Sequence, residues 1–169
     1  MSHLTHSQRT LIESGLKQRD SFKEIAGKIG KSPSSVSREV LKHRVDSDKG
    51  AYGRITNRCI YRRNCDRLRV CDSNCSKRCS ACTKCNASCP NFEEEICERL
   101  SLPPYVCNGC KDEYRCVLKK KFYVHDHAEH EYKRTLRQAR TGAAITEEER
   151  IELGNLLDSG LKKGQSVHH

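Results

Sequence analysis

The stretch Ser21-Phe22-Lys23-Glu24-Ile25-Ala26-Gly27-Lys28-Ile29-Gly30-Lys31-Ser32-Pro33-Ser34-Ser35-Val36-Ser37-Arg38-Glu39-Val40 decides how the first part of this chain folds. Ser21 and Glu24 have the spacing of a capping box, in which each side chain satisfies a backbone N–H that the first helical turn leaves open. Phe22, Ile25, Ala26 and Ile29 follow at helical spacing, and Gly30 supplies a left-handed terminator. Ser32 is the next N-cap, and Pro33 takes the first helical position, where a missing N–H costs nothing. Val36 and Val40, four apart, face a core.

Upstream, Thr5 with Gln8 forms another capping box, and Leu11, Ile12 and Leu16 share one helical face. Gly15 is expected to weaken the end of that helix. Residues 1–45 thus read as three helices, with the helix, short glycine turn and helix spacing of a helix-turn-helix and small Ala26 where two helices cross. The outward side of the third helix carries Ser34, Ser35, Ser37, Arg38 and Lys42, with Lys31 just before its cap. Short hydroxyls and long cations suit the phosphates and base edges of a DNA major groove. A three-helix bundle with a solvated polar face is the plainer alternative for the same residues.

The bulk composition agrees with small modules. The chain has 169 residues, 35% of them hydrophobic, and no Trp, too little for one large core. Its formal charge is +10, with the basic excess in the first 125 residues, as a partner of double-stranded DNA would have. Met1 to Gln18 contains no apolar run of signal-peptide length, and no stretch approaches a membrane span. The expected compartment is the reducing cytoplasm, where thiols bind metal more readily than they form disulfides.

Residues 54–124 hold all twelve cysteines: Cys59, Cys65, Cys71, Cys75, Cys79, Cys82, Cys85, Cys89, Cys97, Cys107, Cys110 and Cys116. Cys79-x-x-Cys82, Cys82-x-x-Cys85 and Cys107-x-x-Cys110 have the spacing at which two thiolates reach one tetrahedral ion. Asn108-Gly109 gives the last pair its tight turn, and Pro103-Pro104 stiffens the approach. Twelve thiols suffice for about three closed four-cysteine zinc sites. The simplest grouping is sequential, although small zinc folds also interleave their ligands. An iron–sulfur cluster on the dense run from Cys79 to Cys89, a disulfide framework and a redox pair are the competing chemistries. Arg54, Arg58, Arg62, Arg63, Arg67 and Arg69, with Tyr52 and Tyr61 among them, either follow a DNA backbone or balance thiolate charge.

Residues 125–142 read as a charged connecting helix capped by Asp126 with Glu129, running to about Arg140 and ended by Gly142. His125, His127 and His130 sit at its start; a solvated polar surface is the favoured reading, because twelve thiols leave no zinc ligand short. In residues 143–169, Thr146 with Glu149 caps a further helix bearing Ile151, Leu153, Leu156 and Leu157. Its Leu156-Leu157-Asp158-Ser159-Gly160-Leu161-Lys162 repeats Leu11-Ile12-Glu13-Ser14-Gly15-Leu16-Lys17, and Ser166 falls on Ser21. The repeat implies a second helix-turn-helix, truncated as its second helix begins.

The run from Ser21 to Ala26 through Ser35-Val36-Ser37-Arg38-Glu39 resembles the first helix-turn-helix of the insertion-sequence-thirty family of bacterial transposases. Asn57-Arg58-Cys59-Ile60-Tyr61-Arg62 and Pro104-Tyr105-Val106-Cys107-Asn108-Gly109-Cys110 resemble the cysteine-rich insert of its Firmicute-type members, and Lys163-Gly164-Gln165-Ser166 the start of the second helix-turn-helix. The resemblance implies recognition of transposon terminal inverted repeats at the bacterial nucleoid. It also implies strand transfer by a separate RNase H-like domain with an Asp-Asp-Glu triad. No such carboxylate core is legible here: Glu93-Glu94-Glu95 is a run and Glu147-Glu148-Glu149 a helix start, so this stretch is expected to bind DNA and not to be an enzyme. The expected architecture is mainly α: a three-helix module, a loop-rich zinc region, a connecting helix and a truncated second module. A free-standing zinc-dependent helix-turn-helix regulator and, in another class, a thiol redox enzyme are the rival functions. Homo-oligomerisation stays open.

Overall fold

The computed structural model describes residues 3–140 and 146–162. The chain is mainly helical and divides into two compact units, Met1–Glu131 and Tyr132–His169.

The first unit begins with α1 (His6–Gln18), α2 (Phe22–Ile29) and α3 (Pro33–Lys42). Both expected capping boxes form: Thr5 with Gln8, and Ser21 with Glu24. Gly30 ends α2 at φ 64°, and Ser32 caps α3 with Pro33 in its first turn. Gly15 does not weaken the end of α1. The helix continues through it to Gln18 and closes on Arg19 in the left-handed region at φ 67°. Gly15 is needed for another reason. A Cβ there would stand 2.7 Å from Ile25 Cγ1, so the missing side chain sets how closely α1 and α2 cross.

Ile12, Leu16, Ile25, Ala26, Ile29, Val36 and Val40 form the core of the three helices. Val106, Tyr123 and Ala128, from far along the chain, complete the same cluster. They arrive through a two-stranded sheet that the sequence does not announce. β1 (Arg44–Ser47) runs antiparallel to β2 (Lys120–Tyr123), with Arg44 opposite Tyr123 and Ser47 opposite Lys120. Between the strands, residues 48–119 have almost no regular structure beyond short 3₁₀ turns and one helical turn, α4 (Cys85–Ser88). The loop-rich character follows from turn residues and thiols replacing apolar periodicity.

α5 (His125–Arg140) begins one residue before the expected Asp126 cap. The Val124 carbonyl accepts the first helical bond, from the Ala128 N–H. Asp126 therefore lies inside the helix and not at its cap, and Glu129 pairs with Arg9 at 2.5 Å. Arg9, 2% exposed, also donates from Nε to Glu39 at 2.8 Å and from Nη1 to the Leu4 carbonyl. The Tyr123 hydroxyl donates to the same Glu39 oxygen at 3.2 Å. One buried guanidinium thus ties α1, α3 and α5 together. Burial, and then the charge of Glu39, push the Tyr123 phenol well above its ordinary range and keep it a donor.

In the second unit, α6 (Glu147–Lys162) starts as expected, with Thr146 Oγ1 accepting the Glu149 N–H and Glu149 reaching back to Thr146. Ile151, Leu153, Leu156 and Leu157 on α6 are exposed. The repeat segment from Leu156 to Lys162 is helical, like its counterpart in α1. Gly142 and residues 163–169, with Ser166 and the rest of the repeat, lie outside the described residues. Among the described residues no helix is long and apolar enough to cross a membrane.

Candidate nucleic-acid interface and metal centres

α3 buries Val36 and Val40 completely, which turns the opposite side outward. On that side Ser34, Arg38 and Lys42 are exposed, while Ser35, Ser37 and Lys31 are half-buried. Ser34 and Ser35 are joined through the cap hydroxyl of Ser32, 2.9 Å from each. Arg38 does not pair with Glu39 or Glu24. Its Nε donates to the Ser34 carbonyl one turn back at 3.3 Å, along the helix surface. Glu39 is spent on Arg9, and Glu24 on the cap of α2. The arrangement leaves a cationic fork at the middle of α3 and a second cation at its end, flanked by short hydroxyls.

The arginine stretch splits in two. Arg58 contacts Asp48 at 2.7 Å and stands 2.8 Å from Glu94, the latter without hydrogen-bond alignment. Arg62 pairs with Glu95 and donates to the Cys59 carbonyl, and Arg67 donates to the Asn91 side chain. These three hold the thiol region together. Arg54, Arg63 and Arg69 are exposed and have no carboxylate partner among the described residues.

All twelve cysteines are free thiols, and they gather in an interleaved order. Cys59, Cys65, Cys85 and Cys89 line one cavity, together with Phe92. Burial, then the neighbouring Cys89 and Cys59, push the Cys85 thiol up to about 11. Cys71 is raised by burial and by Cys75, with Cys82 also close enough to act on it. Cys107 is raised by burial and by Cys110, Cys97 and Cys116. Cys79 stands between the first two groups: it is buried against Cys59 and Cys85, and its carbonyl accepts the Cys82 N–H at 3.0 Å. The sequential grouping is therefore not what the fold brings together; Cys59 and Cys65 meet Cys85 and Cys89 across the Cys71–Cys82 loop.

The donor set suits a soft or borderline cation, since four thiols are crowded where only a metal could make all of them thiolates. The sulfurs are gathered more loosely than in a closed site. Around one zinc ion they would stand roughly 3.8 Å apart. Among the described residues, however, the one group of three His, Cys, Asp or Glu ligand atoms mutually within 4.8 Å is His6, His125 and Asp126. The loops that carry the thiols are held by asparagine side chains, a bridging role that Cys spacing does not reveal. Asn57, buried, donates to the Cys79 and Ser80 carbonyls and accepts the Cys59 N–H. Asn86 donates to the Thr56 carbonyl and accepts the Arg58 N–H. Asn108, also buried, exchanges both bonds with the Tyr123 backbone, at 2.9 and 2.8 Å. A short Asn beside a Cys was the available signal, since its amide can satisfy a loop backbone on both sides.

The Cys107–Cys110 turn is built into the helical module. Cys110 N–H closes on the Cys107 carbonyl at 2.9 Å, with Gly109 between them at φ 70°. A Cβ on Gly109 would stand 2.6 Å from the Leu16 carbonyl, so this glycine serves both the turn and its close approach to α1. Arg19 Nε donates to the Gly109 carbonyl at 2.7 Å.

Residues 1–43 match the family of helix-turn-helix domains, which agrees with the three-helix geometry and gives this part of the chain a DNA-binding fold. Searches of curated proteins and of solved structures found no match.

Proposed function

We propose that this chain reads double-stranded DNA in a sequence-directed way, as the recognition part of a transposase of the insertion-sequence-thirty type, with terminal inverted repeats as its target. The observation that carries the proposal is the outward side of α3, where exposed Ser34, Arg38 and Lys42 sit on a helix whose other side is locked into the core. The helix-turn-helix domain matched at residues 1–43 occurs in transposases, and the cysteine motifs beside it favour the same family.

Arg38 is placed to read a guanine edge, and Lys42 and Lys31 to hold phosphates. Arg38→Ala is expected to lower specific affinity by about 1–3 kcal/mol and to flatten preference at one base position. Lys42→Ala should weaken all sequences alike and reduce the salt slope by about one unit. A binding-selection assay on the full chain, repeated at several salt concentrations, separates the two. Unchanged base preference in the Arg38 variant would misassign the recognition helix.

Three zinc ions at most are held by the thiols in this reading: one by Cys59, Cys65, Cys85 and Cys89, one by Cys71, Cys75, Cys79 and Cys82, and one by Cys97, Cys107, Cys110 and Cys116. Their role is structural, supplying a region with few apolar residues the cross-links that burial cannot. Strand transfer is not a property of these residues in the same reading. Carboxylates such as Glu13, Glu39 and Asp46 are tied to cations, and no three converge among the described residues. Incubating the pure protein with a labelled inverted-repeat duplex and magnesium or manganese should leave the DNA intact; cleavage lost on changing one carboxylate would refute this.

A further inference from the structure

We propose that His6, His125 and Asp126 form a metal site separate from the thiols, taking a divalent transition ion of the zinc class. His6 opens α1 and His125 opens α5, more than a hundred residues apart in sequence, yet their rings stand 5.3 Å apart between centroids. One ligand atom from each of the three residues lies within 4.8 Å of the other two. His125 Nε2 is 3.3 Å from Asp126 Oδ1, close to the edge of a tetrahedron with ligand bonds of about 2.0 Å.

The imidazole of His125 is already oriented for this task. Its Nδ1 lies 2.6 Å from Glu13 Oε2, and the same oxygen accepts the His125 backbone N–H at 2.8 Å. A carboxylate only accepts, so Nδ1 donates to Glu13; Nε2 faces the Asp126 carboxylate, and an ion bound there takes the place of a proton on Nε2. Carboxylate, imidazole and metal in that order is the arrangement that fixes the tautomer and raises the basicity of a histidine ligand. Glu13 is itself held, since its other oxygen takes Lys17 at 2.5 Å. Both helix N-termini bring positive dipole ends to the site, which oppose a cation. Asp126 and Glu13 supply the negative charge that offsets them. Two imidazoles and one carboxylate leave a fourth position for water, and an ion there would clasp the start of α1 to the start of α5.

The test uses the full chain with its thiols metal-loaded and shown unreactive to a thiol reagent. Zinc, then cobalt as a spectroscopic probe, is added at a pH where imidazole is neutral, and uptake is followed by equilibrium dialysis and by the imidazole NMR signals. The wild type should take up about one further ion, with cobalt giving no thiolate charge-transfer band. His6→Ala and His125→Ala should bind that ion at least about tenfold more weakly, and Glu13→Gln about 10–100-fold more weakly. His130→Ala, on the same helix, should bind as wild type. No uptake beyond the thiol-bound metal, or uptake unchanged in His6→Ala and His125→Ala, overturns the proposal. His6 is exposed, so its variant keeps the fold and remains a valid test even if a change at Glu13 disturbs α1.

Discussion

With the thiols holding metal as proposed, stripping it from the full chain is expected to unfold residues 59–116 and, beyond them, to lower the stability of the helix-turn-helix itself. A structural zinc site contributes about 10–16 kcal/mol of apparent binding energy, comparable with or greater than the 5–15 kcal/mol that holds an ordinary domain. The loop region has little else. Apart from Leu100 and from Val106, which belongs to the helical core, its buried cluster among the described residues is Cys59, Cys79 and Cys85 with Val70, Cys89 and Phe92 against it, two non-thiol side chains. The effect on the helices follows from the third thiol group. Cys107 N–H donates to the Lys121 carbonyl on β2, Val106 lies in the core of the three helices, and Gly109 packs on the end of α1. Loosening that turn exposes the core beside Leu16. The two effects can be told apart by site. Cys75→Ser, in the loop group, should leave the melting of α1–α3 unchanged, whereas Cys110→Ser should lower it. Circular dichroism with and without chelator, under anaerobic conditions, reads both. Equal helix melting in the two variants would show that the third thiol group does not support the module.

Replacing Arg9 should be nearly as damaging. Arg9→Met keeps the aliphatic stem and removes the guanidinium, leaving Glu39 and Glu129 facing one another in a largely buried setting. Removing one partner of a buried ion pair costs about 3–5 kcal/mol, mostly because the charge left behind has no solvent. Unfolding in urea at neutral pH should show that loss, and the double change Arg9→Met with Glu39→Gln should recover part of it by removing a stranded charge. The Tyr123 hydroxyl, which donates to Glu39, can still donate to the glutamine amide oxygen. A loss under about 1 kcal/mol would place the pair among weak surface bridges.

The caps of α1, α2, α3 and α6 were readable because each depends on residues three apart. Thr5 with Gln8, Ser21 with Glu24 and Thr146 with Glu149 all close as their spacing implies. The cap at Asp126 with Glu129 had the same spacing and fails. Its helix starts at His125, ahead of Asp126, and Glu129 pairs with Arg9, 120 positions away, a partner that no local pattern carries. The pairing of thiols was unreadable for a related reason. Cys-x-x-Cys spacing fixes which two sulfurs share a turn, but which turns meet depends on Asn57 and Asn86 bridging separate loops.

By itself the sequence determined the mainly helical class, the three-helix module, the outward placement of Ser34, Arg38 and Lys42 on α3 and the presence of a thiol region, because helix periodicity, caps and turn chemistry act within a few residues. The tertiary structure alone decided that β1 and β2 bring the two ends of the thiol region together, that Gly15 is a contact point and not a break, that the Gly109 turn also abuts α1, and that His6 meets His125. Those outcomes depend on contacts between segments that share no local signal: a glycine's role is set by what packs against it, and a histidine becomes a ligand only when another chain segment delivers a second donor.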